Sequence, residues 1–77
     1  MSEDKLNLNI GKNIKKYRYL YNATKGEMKQ KDLASKVGVS TSTIGALESP
    51  KVNQGVSLYN LYKISKVLGV SIDQLVE

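Results

Sequence analysis

A Val-Ser pair occurs three times in this chain, at residues 39–40, 56–57 and 70–71, and it limits the fold more than any other feature. Serine is a favoured helix cap because its hydroxyl accepts a hydrogen bond from the first turn. An apolar residue before such a cap packs against the residue four positions after the cap. Those later positions are apolar in each case: Ile44, Leu61 and Leu75. Each pair therefore predicts a helix start, and Gln74 adds a capping box to the last one.

A fourth helix start is predicted at Lys29, since Met28 and Leu33 provide the same apolar pairing. Lysine is a poor cap, so this helix end is expected to fray or to find another partner. The first helix is predicted from residues that recur at spacings of four, three and four along one helical stripe. They are Ile10, Ile14, Tyr17 and Tyr21.

Helix ends are predicted at Gly38 and Gly69, because glycine readily adopts the left-handed conformation that closes a helix. Pro50 disfavours helical geometry at Ser49, so the third helix should end near Glu48. The predicted helices cover roughly residues 9–22, 30–37, 41–48, 58–68 and 72–76. This pattern indicates an all-α, compact five-helix domain over residues 9–77, after an N-terminal extension, 1–8, that is expected to be flexible.

Composition limits the classes of function. The 77 residues include no Cys and no His, which removes disulfides, thiolate metal sites and the commonest general base. No catalytic spacing, apolar signal core or run near the ~20 residues of a membrane span is present, so a non-enzymatic cytoplasmic protein is expected. Residues 1–31 contain eight Lys/Arg and three Asp/Glu, whereas residues 32–77 contain four of each. The excess of positive charge in residues 1–31 favours nucleic acid as the partner over an anionic membrane face. A need for solubility alone would also explain this excess.

The segment QKDLASKVGVSTSTIGALES, residues 30–49, joins two short predicted helices through a sharp corner. Two helices that cross steeply need a small residue where they touch and a left-handed residue at the corner. Ala34 and Gly38 provide these two features, while Ile44 and Leu47 are expected to face inward. The segment therefore predicts a helix-turn-helix at about residues 30–48.

The chain resembles the Cro/C1-type, or Xre-like, helix-turn-helix domain of phage and bacterial repressors over about residues 10–76. The matching residues and motifs, in chain order, are Ile10, Gly11, Ile14, Arg18, QKDLASKVGVS, STIGALE and LYKISKVLGVSIDQLV. The resemblance implies a lambda-repressor-like fold that binds double-stranded DNA as a homodimer. It implies no cofactor, no metal and no small-molecule effector.

The same resemblance implies roles for individual residues. Base reading would fall to outward residues of the recognition helix: Thr41, Ser42, Gly45 and Ala46. Phosphate contact would fall to the starts of the second and third helices and to the following loop: Lys29, Gln30, Ser40, Thr43, Lys51 and Asn53. Arg18 and Glu48 occupy positions that often form an ion pair. Two alternatives stay open: Gln30 as a solvated first-turn residue, and Arg18–Glu48 as a surface pair worth only ~0–1 kcal/mol.

The sequence departs from the family pattern where DNA is read. The family often has Arg or Gln at the positions of Thr41 and Ala46, and Arg and Gly at those of Ser49 and Pro50. Residues 40–49 contain no Lys, Arg, Gln or Asn, so the commonest specific contact, Arg to guanine, cannot come from this helix. Hydroxyls, contacts to thymine methyl groups and a close backbone approach at Gly45 remain for reading. Affinity would then come from lysines outside the helix that bind phosphate.

Together these features predict a sequence-specific transcriptional regulator, of repressor type and from a phage or mobile element, that binds operator DNA as a dimer. The expected dimer contacts lie near the C-terminal end, around Val70, Ile72, Leu75 and Val76. The alternative is a protein-interaction module that retains the fold without reading DNA, for example an antitoxin-like or adaptor partner. Two apparent inserts, at residues 23–27 and 53–55, would lengthen loops. Two interpretations stay open: an added contact to the DNA backbone, with Lys25 as the candidate, or no role.

Overall fold

A computed structural model describes residues 3–50 and 55–77, and these residues form five α-helices. The helices are α1 Glu3–Thr24, α2 Gln30–Val37, α3 Thr41–Glu48, α4 Leu58–Leu68 and α5 Ile72–Val76. The described residues contain no β-strand. The predicted all-α, five-helix fold is confirmed, and the bounds of α2 to α5 are the predicted ones.

The predicted start of α1 at residue 9 is wrong, because the helix begins six residues earlier, at Glu3. The apolar stripe used for the prediction begins at Ile10 and leaves out Leu6, which stands four residues earlier on the same side of the helix. Leu6 packs against the core as a partly buried residue. At its other end α1 continues to Thr24, so the first two residues of the 23–27 insert belong to the helix.

Serine side chains cap α3, α4 and α5, as the Val-Ser pairs predict. Each cap oxygen accepts a hydrogen bond from the backbone N–H three residues later, over 3.1 or 3.2 Å. The pairs are Ser40 with Thr43, Ser57 with Asn60 and Ser71 with Gln74. At α2 the Lys29 side chain has no acceptor to offer, but the Asp32 carboxylate accepts a hydrogen bond from the Lys29 backbone N–H over 2.9 Å. The helix start with the poor cap therefore finds its partner within its own first turn.

Two glycines close α2 and α4 in the predicted left-handed conformation, with φ of 88° at Gly38 and 71° at Gly69. The Gly38 N–H donates to the Ala34 carbonyl over 2.8 Å, which satisfies one of the free carbonyl groups at the end of α2. The corner between α2 and α3 therefore depends on a residue without Cβ.

The core draws residues from all five helices and from Met28. Helix α1 packs against α3, α4 and α5, and α2 packs against α3 and α4. Leu75 is fully buried in this core, so the expectation that it contributes to a dimer contact is wrong. The apolar pairing that positions α5 turns this side chain inward, and the Asn13 side chain donates a hydrogen bond to the Leu75 carbonyl over 2.9 Å.

The backbones of α1 and α3 come into contact at Gly11. A Cβ atom at this position would overlap the carbonyl oxygen of Leu47 and lie 3.1 Å from its carbonyl carbon. Gly11 is itself buried. The absence of a side chain therefore sets how closely the C-terminal end of α3 approaches α1, and with it the direction in which α3 points.

Candidate nucleic-acid interface

Helix α2, the turn at residues 38–40 and helix α3 form a helix-turn-helix. Ala34 is 2% exposed, as expected for a small residue at a helix crossing. The inward side of α3 is anchored by Ile44, Leu47 and Glu48, which are all buried. The four residues predicted to read bases keep access to solvent: Thr41 and Ser42 are exposed, and Gly45 and Ala46 are partly exposed. The outward side of α3 therefore carries only small side chains.

Hydroxyl groups gather at the start of α3. The Ser40 Oγ atom lies 3.0 Å from the Ser42 Oγ and 2.8 Å from the Thr43 Oγ1, and it also accepts the Thr43 backbone N–H. The cap therefore orients the side chains at 42 and 43 instead of leaving them free to rotate. Helix N-termini attract anions because their first N–H groups are not used within the helix. This end of α3 therefore has both hydroxyl groups and the positive end of the helix dipole, and both favour the binding of an anion.

Arg18 and Glu48 form a buried, two-point ion pair between α1 and α3. Arg18 Nε donates to Glu48 Oε2 over 2.7 Å, and Nη2 donates to Glu48 Oε1 over 2.9 Å. The remaining Nη1 donates to the Met28 carbonyl over 3.1 Å. The two charged side chains are only 8% and 3% exposed, so the surface-pair alternative does not describe them. The hydrogen bond to Glu48 raises the pKa of the Arg18 guanidinium further above its ordinary value.

Gln30 joins this pair from the first residue of α2. Its Nε2 donates to Glu48 Oε1 over 3.1 Å. Its Oε1 lies 3.5 Å from where a Cβ atom would stand on Gly45. The Gln30 carboxamide therefore lies between the buried ion pair and the middle of α3. Sequence reasoning missed this contact because the two residues are 18 positions apart and no motif spacing relates them.

The other residues predicted to contact phosphate are Lys29, Lys51 and Asn53. Lys29 is exposed, and its Nζ lies 3.0 Å from Glu27 Oε1; the hydrogen bond to Glu27 raises the pKa of Lys29. Lys51 and Asn53 lie outside the described residues, so the structure gives no position for them. The start of α3 and the start of α2 are therefore the parts of the predicted interface that the structure brings together.

The described residues form neither a metal site nor a membrane-spanning helix. Their acidic residues do not gather into any group that could hold a metal ion. None of the helices over residues 3–50 and 55–77 combines the length and apolar character that crossing a membrane requires.

The crossing of α2 and α3, the glycine corner and the outward face of small side chains define a helix-turn-helix protein. The chain belongs to the helix-turn-helix family, whose model matches residues 22–75. It is similar to an uncharacterised HTH-type transcriptional regulator from Methanocaldococcus jannaschii. The two are 42% identical over 62 residues, which cover 80% of this chain and 83% of the relative. The predicted resemblance to the Cro/C1-type family is confirmed.

Proposed function

We propose that this protein is a transcriptional regulator that recognises a specific sequence in duplex DNA. The outward face of α3 carries the proposal: Thr41, Ser42, Gly45 and Ala46 are accessible, while the opposite side of the helix is anchored in the core. Short side chains let a helix lie deep in the major groove, where hydroxyls bond base edges and methyl groups contact thymine. The similarity to a protein named as a transcriptional regulator supports the same function.

Affinity would come from contacts that carry no sequence information. The hydroxyls of Ser40 and Thr43, the backbone N–H groups at the starts of α2 and α3, and the Lys29 ammonium are the proposed phosphate ligands. Lys51 and Asn53 complete this proposed set from the sequence alone. The formal net charge of +5 adds a field that attracts the DNA backbone.

The proposal includes a homodimer and repression. Two copies would read half-sites about 34 Å apart, one helical turn of DNA. With Leu75 buried, the proposed contacts between copies are the partly buried Val70, Ile72 and Val76. A dimer on an operator that overlaps a promoter excludes RNA polymerase. A regulator of phage or mobile-element type would act in the cytoplasm, where that DNA lies.

One observation favours a second function, a protein-interaction module. Glu48 is the only charged residue of α3, and it is 6% exposed because it faces Arg18. The accessible face of α3 therefore carries no charge toward a partner. Such a face would also suit an uncharged protein surface.

The deciding experiment places a carboxylate on the outward face of α3. Ala46→Glu should abolish binding to an operator selected from a random duplex pool, because the new charge meets DNA phosphates and base acceptors. Ser35→Glu is the matched control, since it makes the same charge change at an exposed position of α2. Both variants should keep the wild-type circular dichroism spectrum.

Binding is titrated at several salt concentrations on the operator and on random duplex. Wild-type affinity should fall steeply with salt on both, with a slope near −0.9 for each phosphate contact. Operator binding by Ala46→Glu equal to that of Ser35→Glu would show that α3 does not enter the groove. Absence of salt-dependent binding to any duplex would favour the protein-interaction module.

A further inference from the structure

We propose that Gln30, a residue outside the recognition helix, reads an adenine base through its carboxamide. The inference rests on the proposed DNA binding and goes beyond it, because the family resemblance assigns Gln30 to phosphate. It adds a carboxamide to the hydroxyl and methyl groups of α3, which has no Asn or Gln of its own.

The buried ion pair settles which way the Gln30 carboxamide faces. The Glu48 carboxylate accepts two hydrogen bonds from Arg18, over 2.7 and 2.9 Å, and offers acceptors only. The nitrogen of the Gln30 side chain must therefore point to Glu48, and its donor bond to Oε1 measures 3.1 Å. Gln30 Oε1 is then turned away from the pair. Glu48 positions Gln30, and Arg18 positions Glu48.

The free groups of this carboxamide match one base. In the described part of the chain, Glu48 is the only hydrogen-bond partner of the Gln30 side chain. Oε1 and the second hydrogen on Nε2 thus remain for a ligand, one acceptor and one donor. Adenine presents the complementary pair in the major groove, the N6 donor and the N7 acceptor. Guanine offers two acceptors there, and cytosine offers a donor alone.

Gly45 makes this reach possible. Gln30 Oε1 stands 3.5 Å from the Cβ position of Gly45, so the carboxamide lies against the recognition helix at a residue with no side chain. A long side chain at 45 would extend past the carboxamide and reach the groove before it. Both residues are partly exposed, so neither is closed off from a ligand.

The test uses the full chain and an operator selected from a random duplex pool. Every base pair of one half-site is then substituted singly and titrated with the wild type, Gln30→Ala and Lys29→Ala. For the wild type, replacing one particular A·T pair should weaken binding about 5- to 150-fold. Gln30→Ala should lose that preference and keep the preferences at all other positions. Lys29→Ala, the neighbouring control, should weaken operator and random duplex equally and keep every preference.

Two further measurements distinguish base recognition by Gln30 from a purely structural role. 7-Deazaadenine at the same position removes N7, so it should weaken the wild type and leave Gln30→Ala unaffected. Glu48→Gln replaces the acceptor-only carboxylate by a group that also donates, so Gln30 can face either way. This variant should lose the adenine preference while still binding random duplex, a change that a purely structural role would not produce.

The outcomes distinguish this inference from the proposed function. Equal weakening of operator and random duplex by Gln30→Ala, with the adenine preference intact, would overturn the reading role and restore Gln30 as a phosphate contact. Failure of the wild type to bind any duplex would overturn the proposed function, and the inference would fall with it. Thermal melts of Gln30→Ala and Glu48→Gln confirm that the folded state is what is titrated.

Discussion

Replacing Glu48 by Leu should destabilise the domain more than any single change at its surface. The substitution removes the bonds of 2.7 and 2.9 Å that Arg18 donates to Glu48. The guanidinium, on a side chain that is 8% exposed, keeps the Met28 carbonyl and the Tyr19 ring, whose centroid is 4.8 Å away. Breaking a buried ion pair on one side costs ~3–5 kcal/mol, because the remaining charge stays desolvated. A domain of 77 residues has a free energy of unfolding of roughly 4–12 kcal/mol. The variant should therefore lose about a quarter or more of its stability.

The double variant Arg18→Met with Glu48→Leu distinguishes two causes of lost stability. One is the loss of attraction between the two charges, and the other is the cost of burying an unpaired charge. It removes both charges and fills their volume with apolar groups, which in other buried pairs is neutral or stabilising. We therefore expect the double variant to be more stable than either single one. The coupling between residues in contact should lie toward the upper end of the usual range, ~0.5–3 kcal/mol.

The assay is urea denaturation followed by circular dichroism for the wild type, both single variants and the double variant, at one salt concentration. Glu27→Gln serves as the control, because it removes the ion pair between Glu27 and Lys29. Both of these side chains are 64% exposed, so the free energy of unfolding should not change measurably. A wild-type midpoint for Glu48→Leu would contradict the burial argument. A double variant whose loss equals the sum of the single losses would show that the unpaired charge is not the cause.

Three other substitutions test the packing of the motif by the same denaturation assay. Gly11→Ala should cost ~1–3 kcal/mol despite the better helix propensity of alanine, because the new Cβ meets the Leu47 backbone; an unchanged midpoint would contradict the close approach of α1 and α3. Gly45→Ala should stabilise by up to ~1 kcal/mol, since its Cβ stands 3.5 Å from Gln30 Oε1 in ordinary contact; a loss of stability would refute this. Ala34→Leu should cost ~1–3 kcal/mol at its 2% exposed position, and a wild-type melt would remove Ala34 from the helix crossing.

The elements that could be predicted from the sequence are those whose signals lie within one or two turns. A Val-Ser pair and a later apolar residue define a helix start because cap and staple are local interactions. Glycines at the helix ends and Pro50 act equally locally. The bounds of four helices follow from these residues. The start of α1 is missed because the predicted stripe begins only at Ile10, whereas Leu6, four residues earlier, lies on the same stripe and packs against the core.

The contacts that could not be predicted join residues far apart in the chain. Gln30 and Glu48 meet only because α2 and α3 cross, and their 18-residue separation matches no local pattern. Leu75 was expected at a surface because its helix lies near the C-terminal end. The apolar pairing with Val70 already indicates an inward side chain, and the packing of α5 against α1 completes its burial. The helical period of α3 predicts which side of this helix faces outward. It does not predict that Gln30 lies beside that side.

If Gln30 reads adenine as proposed, stability and recognition depend on the same carboxylate in this domain. Glu48 is buried with Arg18, which fixes the end of α3 against α1, and it holds the nitrogen of Gln30 at the start of α2. The small side chains of α3 contribute little binding free energy of their own. A polar group that is already fixed beside the helix loses less conformational entropy on binding than a long flexible side chain would. Changes at 48 should therefore alter folding and base preference together, whereas changes at 30 should alter base preference with a small effect on folding. The proposed reader is thus a composite of two helices whose geometry is set by one buried charge.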